Sequence, residues 1–574
     1  MEYKPENRNC QNCKNDFTIE PDDFSFYDKI KVPPPTFCPE CRMVRRMIWR
    51  NCRSLYKRLC LNCNKTVVSM YSPEKTGIVY CMDCWNSDDR NPFLQERDFD
   101  FSRNFFEQLN ELRIESPILF SHHTGTLIRS DFTNYSVDNK DCYLSYSVIT
   151  CENILYSENI DKSKNDLDCY SVQKVENCSY NIDCDYNYNC HFSIQSQKCI
   201  DSYFIYDCIN CQNCCLSSNL RNKQYIFKNK QLTKEEYKGE FLKLELNKYS
   251  KLCKAKEYFD NNFKNKDIHR FAQIYNSQNA TGDYIGNSKN VVNSFVVQNS
   301  ENIKYGYRVL SNSKDSYDSQ GLASGELIYE SIATSFMTFK DYFTYICIGS
   351  KECEYSFMCK NCSDCFACIG LKNSQYCIFN KQYKKEKYFE MVEKIKKHMD
   401  DIPYIDSKGR VYKYGELFPY EMSPFGYNET NANEYFPISK EEAVKRGYPW
   451  KDKEEKNYNI TINSKNLADD ISEVTESIFD EIISCPNSGK QEYLCSTAYR
   501  IIPAELQFYK QKNLPLPRYC PNCRHYQRLG YRNYFKLYSR SCMNKDCQNI
   551  FDTTYAPDRP EIIYCEKCYQ QEVV

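Results

Sequence analysis

The sequence predicts a mainly β protein: a parallel β-helix present in two copies, with a pair of cysteine-rich ribbon units at each terminus. Three observations predict it. Asn/Asp and small or apolar residues recur every twelve positions through the middle of the chain. A string that begins at Leu220 returns at Leu371, an offset of 151. The cysteines of the two ends superpose: an offset of 482 carries Cys13, Cys38, Cys41 and Cys60 onto Cys495, Cys520, Cys523 and Cys542. A two-residue insertion changes the offset to 484, which carries Cys63, Cys81 and Cys84 onto Cys547, Cys565 and Cys568.

The repeat defines the body. One column runs Asp141, Asn153, Asn165, Asn177, Asn189, Asp201, Asn213, and the next holds Cys142, Ile154, Cys178, Cys190, Ser202 and Cys214. The register reads as slipping by about one residue near Asp166. A short fixed period marks a solenoid, period-2 alternation within each unit marks strands, and Asn/Asp suit the turns because they tolerate left-handed backbone. The expected solenoid is right-handed. A further column, Leu144, Tyr156, Tyr180, Phe192, Phe204 and Leu216, is expected inside. A twelve-residue coil has no room for such rings, so the expected coil is 24 residues, built from two facing twelve-residue half-coils.

In the second copy Cys359, Cys362 and Cys365 match Cys208, Cys211 and Cys214. Each copy should end in a Lys/Glu-rich amphipathic helix, 234–259 and 385–399, laid across the last sheet edge. The solenoid cysteines read as small buried hydrophobes. The alternative is a metal set at Cys208/Cys211/Cys214/Cys215 or Cys359/Cys362/Cys365/Cys368. The organisation is then 1–90 tandem zinc ribbon, 91–127 connector, 128–260 and 261–400 solenoid copies, 401–484 Pro/Tyr-rich linker, and 485–574 tandem zinc ribbon.

The terminal cysteines form four sets, each able to place four thiolates round one tetrahedral Zn²⁺. They are Cys10/Cys13/Cys38/Cys41, Cys60/Cys63/Cys81/Cys84, Cys485/Cys495/Cys520/Cys523 and Cys542/Cys547/Cys565/Cys568. In the third set Glu492 aligns with Cys10, so Cys485 must reach back across a longer gap. Disulfides are disfavoured because the chain opens MEYKPENRNC without an apolar leader. Closed four-thiolate sets leave no position for water or substrate, so the zinc is read as structural, each ion worth on the order of 10 kcal/mol.

Residues Cys10 to Arg46, with CQNC, Phe17, Ile19, the run ending at Tyr27, the prolines, CPEC and Arg42, resemble a bacterial zinc-ribbon domain. The strings GELFP, SPFGYNET and GYPW look like those of uncharacterised zinc-ribbon proteins from small-genome candidate-phyla bacteria. The resemblance implies architecture and lineage and carries no activity.

Net charge is −1, with 15 basic and 12 acidic residues in 1–90 and 13 and 8 in 485–574, so the ends are basic and the body acidic. The basic residues crowd beside the second CxxC: Arg42, Arg46, Arg50 and Arg53 at one end, Arg524, Arg528 and Arg532 at the other. Interleaved Trp49, Tyr56, Tyr531 and Tyr534 supply rings. Arginines four apart on one helical face, among aromatic platforms, form the pattern of a phosphate-tracking surface. The competing reading has them hold the ribbons together. None of the six histidines belongs to a nucleophile or HExxH motif, His525 reads as a surface residue, and P-loop, GxSxG and GxGxxG patterns are absent.

The expectation is a cytoplasmic, non-enzymatic interaction protein with up to four structural zinc ions. Its favoured partner is RNA or a ribonucleoprotein, with no membrane and no small-molecule substrate. The alternatives are a protein–protein scaffold and a glycan-active β-helix enzyme. The duplicated ends are expected to pack together and close the molecule as an internal two-fold pair.

Overall fold

The computed structural model describes residues 3–321, 323–332, 336–454 and 457–574. It is mainly β, with a solenoid of about 21 turns. No helix among these residues is long and apolar enough to cross a membrane.

The coil length corrects the expectation. Parallel pairing steps from Tyr146 to Glu158, Tyr170, Ile182, Ile194 and Tyr206, twelve residues each time. Twelve residues therefore make a whole coil, not half of one. The reason lies in the backbone: every third residue has positive φ, as at Asp141, Leu144, Ser147, Thr150, Asn153 and Tyr156. Each coil is thus four three-residue sides with a left-handed corner between them. A chain with only 16 glycines puts Asn, Asp, Lys and even aromatic residues at these corners, a conformation most side chains resist. The ladder holds them there: the Thr150 N–H donates to the Val137 carbonyl (2.8 Å), and Lys162 and Lys174 repeat this to Ile149 and Asp161 (2.9 Å each).

The residue after each corner points inward. Cys142, Ser145, Val148, Cys151, Ile154, Ser157 and Ile160 are all buried. So narrow an interior takes aliphatic and small side chains but no rings, and cysteine fits it well. The thiols donate to the carbonyl nine residues on, at 3.4 Å for Cys184 to Ser193 and for Cys199 to Cys208, and 3.5 Å for Cys359 to Cys368. Ser145 and Asn139 make the same bond to Ile154 (3.1 Å) and Val148 (2.8 Å).

The aromatic column is therefore outside. Tyr156, Tyr180, Phe192 and Phe204 occupy corners, and their rings stack along the solenoid, Tyr180 on Phe192 at 4.8 Å and Phe192 on Phe204 at 4.6 Å. There is no register slip near Asp166. Leu155 pairs with Leu167 and Leu167 with Ser179, so Asp168 takes the corner between Tyr156 and Tyr180. The second copy is looser, stepping eleven residues from Gln278 to Lys289, twelve to Glu301 and thirteen to Lys314. Its Asn ladder survives the irregularity, Asn290 donating to Asn302 (2.9 Å) and Asn302 to Asp315 (2.7 Å).

Both copies stop the same way. The strand turns back antiparallel, Phe227 opposite Lys230 and Ile378 opposite Lys381, through the left-handed pairs Lys228–Asn229 and Phe379–Asn380. Two consecutive positive φ values match a tight I′ hairpin, which closes the sheet edge before the helix begins. The first cap is two helices, Lys234–Leu242 and Tyr249–Phe259, rather than one, and the second is a single helix, Lys385–Asp401.

The ends dock crosswise. The strand Ile78–Tyr80 pairs with Pro117–Leu119 at the entry to the first solenoid, and Ile562–Tyr564 pairs with Ile268–Arg270 at the entry to the second. The ribbon helix Pro39–Ile48 instead packs on the second solenoid, and its counterpart Pro521–Leu529 on the first. The two ends also touch, Arg53 donating to Asn522 at 3.3 Å. The result is an internal pseudo-two-fold pair.

Candidate metal centres

The structure brings each of the four cysteine sets together, all ligand atoms of a set lying within 4.8 Å of one another. Close Sγ–Sγ pairs are 3.7 Å for Cys13–Cys38, Cys63–Cys81 and Cys485–Cys523, 3.8 Å for Cys547–Cys565 and 3.9 Å for Cys495–Cys520. A tetrahedron with metal–sulfur bonds of ~2.3 Å has edges of about 3.8 Å, whereas a disulfide needs ~2.05 Å. All the cysteines are free thiols. The donor set and its geometry fit a closed tetrahedral metal centre.

The four centres share one construction. The N–H of the third cysteine donates to the first: Cys38 to Cys10 (3.3 Å), Cys81 to Cys60 (3.2 Å), Cys520 to Cys485 (3.5 Å) and Cys565 to Cys542 (3.3 Å). The third cysteine is also the N-cap of a helix in every case, where the helix dipole favours a thiolate. Cys485 thereby takes the place of Cys10 despite the longer gap. Asn12 donates to Cys41 Sγ at 3.2 Å, and Asn487, two residues beyond Cys485, donates to Cys523 Sγ at 3.1 Å.

The seven arginines expected to face phosphates do not. Arg42, Arg46, Arg50, Arg53, Arg524, Arg528 and Arg532 are all buried, none more than 8% exposed. Six of them pair with solenoid carboxylates, which offsets the cost of taking a guanidinium out of water. Arg42 Nε and Arg46 Nη1 hold Asp318 at 3.0 and 2.9 Å, and Arg46 Nη2 donates to the Tyr305 carbonyl at 2.9 Å. The other end repeats this. Arg524 Nε and Arg528 Nη1 hold Asp168 at 3.0 and 2.5 Å, and Arg528 Nη2 donates to the Tyr156 carbonyl at 2.8 Å. The Tyr305 and Tyr156 hydroxyls complete each clamp by donating to Asp23 (3.2 Å) and Glu505 (2.8 Å). Arg532 pairs with Asp183 at 3.0 Å and Arg53 with Glu158 at 3.2 Å. Arg50, without a carboxylate, stacks 4.3 Å over Tyr135, as Arg532 stacks 4.2 Å over Tyr284. Trp49 is buried as well, and of the four expected aromatic platforms Tyr534, 54% exposed, is the open one.

Sequence reasoning does not single out Asp168 or Asp318. The one signal is the acid that interrupts the aromatic corner column between Tyr156 and Tyr180, which on spacing alone reads as a slip.

His525 is fully buried and not on the surface. Its Nε2 lies 2.9 Å from Glu434 Oε1 and 3.7 Å from Glu158 Oε2. Burial, with Arg53 and Arg528 nearby, holds this imidazole well below its ordinary pKa, while burial and the Glu158 charge push the Glu434 carboxyl up. The three residues have the spacing of a metal-binding group, but the Arg53 guanidinium already supplies the counter-charge beside Glu158.

Two clefts open beside the ribbons. One, about 350 Å³, lies between Arg53–Tyr56, Lys451–Glu454 and Leu494–Thr497. The other, about 830 Å³, lies against the C-terminal ribbon and carries Tyr493, Tyr519, Tyr526, Tyr534 and Tyr538. No protein-family model, curated protein or solved structure matches the chain. Fold and site together define a class: a twelve-residue-coil β-solenoid clamped between two pairs of four-cysteine metal-type ribbons. Within that class this chain is the duplicated, crosswise-docked form.

Proposed function

We propose that the chain is a non-enzymatic, zinc-stapled scaffold whose partner is a protein. It would work in a reducing compartment such as the cytoplasm, where free thiols persist, and we place it with the zinc-ribbon proteins of candidate-phyla bacteria. The observation that carries the reading is the fate of the charged groups: the arginines that would have met phosphate are used inside, as clamps between modules. Zinc suits the closed four-cysteine sets, since it favours tetrahedral thiolate and needs no open position for a structural role. The RNA reading loses the residues it rested on. Elemental analysis of the purified chain should find four zinc ions. Binding of structured RNA measured at roughly 50 and 200 mM salt should show no steep salt slope. A log–log slope of several units would restore the nucleic-acid reading and overturn this one.

A further inference from the structure

The two ribbon helices are equivalent in sequence and fold, yet one is covered along its length and the other only at one edge, where Glu434 meets His525 at 2.9 Å and Asn433 donates to the Tyr526 hydroxyl at 3.2 Å. Over the N-terminal helix lies the chain's own Pro/Tyr-rich linker. The Tyr420 hydroxyl donates to the Cys41 carbonyl (2.9 Å), the Ser423 hydroxyl to the Ile48 carbonyl (2.9 Å) and the Asn431 N–H to the Arg50 carbonyl (3.0 Å). Phe425 stacks on Tyr71 at 5.4 Å, and Glu429 accepts from Tyr56.

The offset of 482 carries Cys41, Ile48, Arg50 and Tyr56 onto Cys523, Gly530, Arg532 and Tyr538. All four of these line the 830 Å³ cleft. The offset of 484 carries Tyr71 onto Tyr555, whose neighbours Thr554 and Ala556 also line it. The cleft is therefore the twin of a groove that, in the other half, holds a peptide segment of this chain. Burial agrees: every residue from Cys41 to Ile48 is buried, whereas Gln527 and Gly530 are exposed and Tyr526 and Leu529 half-buried.

We propose that this cleft docks an extended Pro- and aromatic-containing peptide segment of a partner protein, in the manner in which residues 413–431 fill the twin groove. The inference rests on the protein-scaffold reading and names its surface. Two substitutions between the twins suit an incoming segment. Val44 becomes Tyr526 and Cys52 becomes Tyr534, adding rigid rings with polar tips, which is how aromatic-lined grooves take Pro-rich chains. Arg45, which binds Glu416 of the linker at 2.9 Å, becomes Gln527, so the partner segment needs no acid at that point.

The test uses the full, zinc-loaded chain and a labelled synthetic peptide of residues 413–431 as probe, with a U12 oligoribonucleotide as the second arm. The expected result is saturable peptide binding at micromolar concentration, with slowed amide exchange in Pro521–Gly530 and around Thr554–Ala556. Tyr534→Ala with Tyr538→Ala should weaken binding at least about tenfold. Gln527→Arg, which restores the twin's Arg45 opposite Glu416 of the probe, should instead tighten binding. Gln527 is exposed, so this variant leaves the fold intact. No binding at millimolar peptide, binding indifferent to both variants, or protection by U12 and not by peptide would each overturn the proposal. The zinc count and the unfolding midpoint are read on the same samples. A protein that keeps four zinc ions and its fold but takes no peptide loses this inference and not the scaffold.

Discussion

The helices Pro39–Ile48 and Pro521–Leu529 begin with the same cysteine cap, carry arginines at matching positions and clamp an aspartate on a solenoid corner. They differ on the opposite face. In the first, Val44, Met47 and Ile48 are buried. In the second, their counterparts Tyr526, Leu529 and Gly530 border open space, while His525, at the Met43 position, is buried against Glu434. Duplication thus reproduced the face that holds the molecule together, and the single linker covered one copy of the other face while reaching only the edge of the second.

Metal removal should have the largest effect and abolish the comparison altogether. At on the order of 10 kcal/mol per ion, a single centre rivals the 5–15 kcal/mol of a typical domain. Chelation should therefore cost both docked ends cooperatively, as followed by circular dichroism and metal release. If Cys485→Ser retained the third ion, the equivalence of Cys485 and Cys10 would be wrong.

Breaking a clamp comes next. Asp318→Ala leaves both Arg42 and Arg46 without a carboxylate, whereas Asp168→Ala strips Arg528 alone, since Arg524 still holds Glu505 at 3.0 Å. Each should cost about 3–5 kcal/mol, measured by denaturant unfolding. Equal losses would show that the two docking faces are energetic twins. A cost in only one would break the pseudo-symmetry where it matters most.

Acid should separate the solenoid copies. Burial holds His122 and His191 down at about 3 and His123 and His269 at about 4, against an ordinary 6.5. Because these folded-state values are depressed, the stability they contribute is complete above pH 6.5 and is lost as pH falls toward 3–4, at ~1.4 kcal/mol for each tenfold loss of proton affinity. Three of the four lie in or at the entry to the first copy. Hydrogen exchange should therefore show the first copy opening at higher pH than the second.

The smallest effect is the sharpest probe of the covered face. Met47→Ala should cost about 2–5 kcal/mol, and its counterpart Leu529→Ala no more than about 1 kcal/mol. Equal costs would mean that Leu529 packs as fully as Met47 does, and that the cleft is closed in solution.

Much of this was legible before folding. The sixteen terminal cysteines are named by spacing alone, because tetrahedral coordination restricts how far apart in sequence ligands of one ion are placed. The twelve-residue period is equally plain. Its meaning is not. A repeat length reports how often an environment recurs, and cannot say whether a large side chain in it faces in or out. The Tyr156–Phe204 column reads as interior because burial and aromatic character usually coincide. The three-residue corners put those rings outside, where the ribbons and capping helices bury them instead.

The arginines show the same limit from the other side. Their spacing on Pro39–Ile48 and Pro521–Leu529 correctly marks one basic helical face, but basic faces serve phosphates and buried aspartates alike. Which partner a guanidinium meets depends on Asp168 and Asp318, hundreds of residues away, and on the crosswise docking that delivers them.

From sequence alone came the β-solenoid class, the duplicated ends and the cysteine sets, since all three rest on local spacing and recurrence. The coil of four sides, the outward aromatic ladder, the buried clamps and the one groove left open were decided by tertiary structure. Each depends on which surface of one module excludes water from another, and that is a property of the assembled chain.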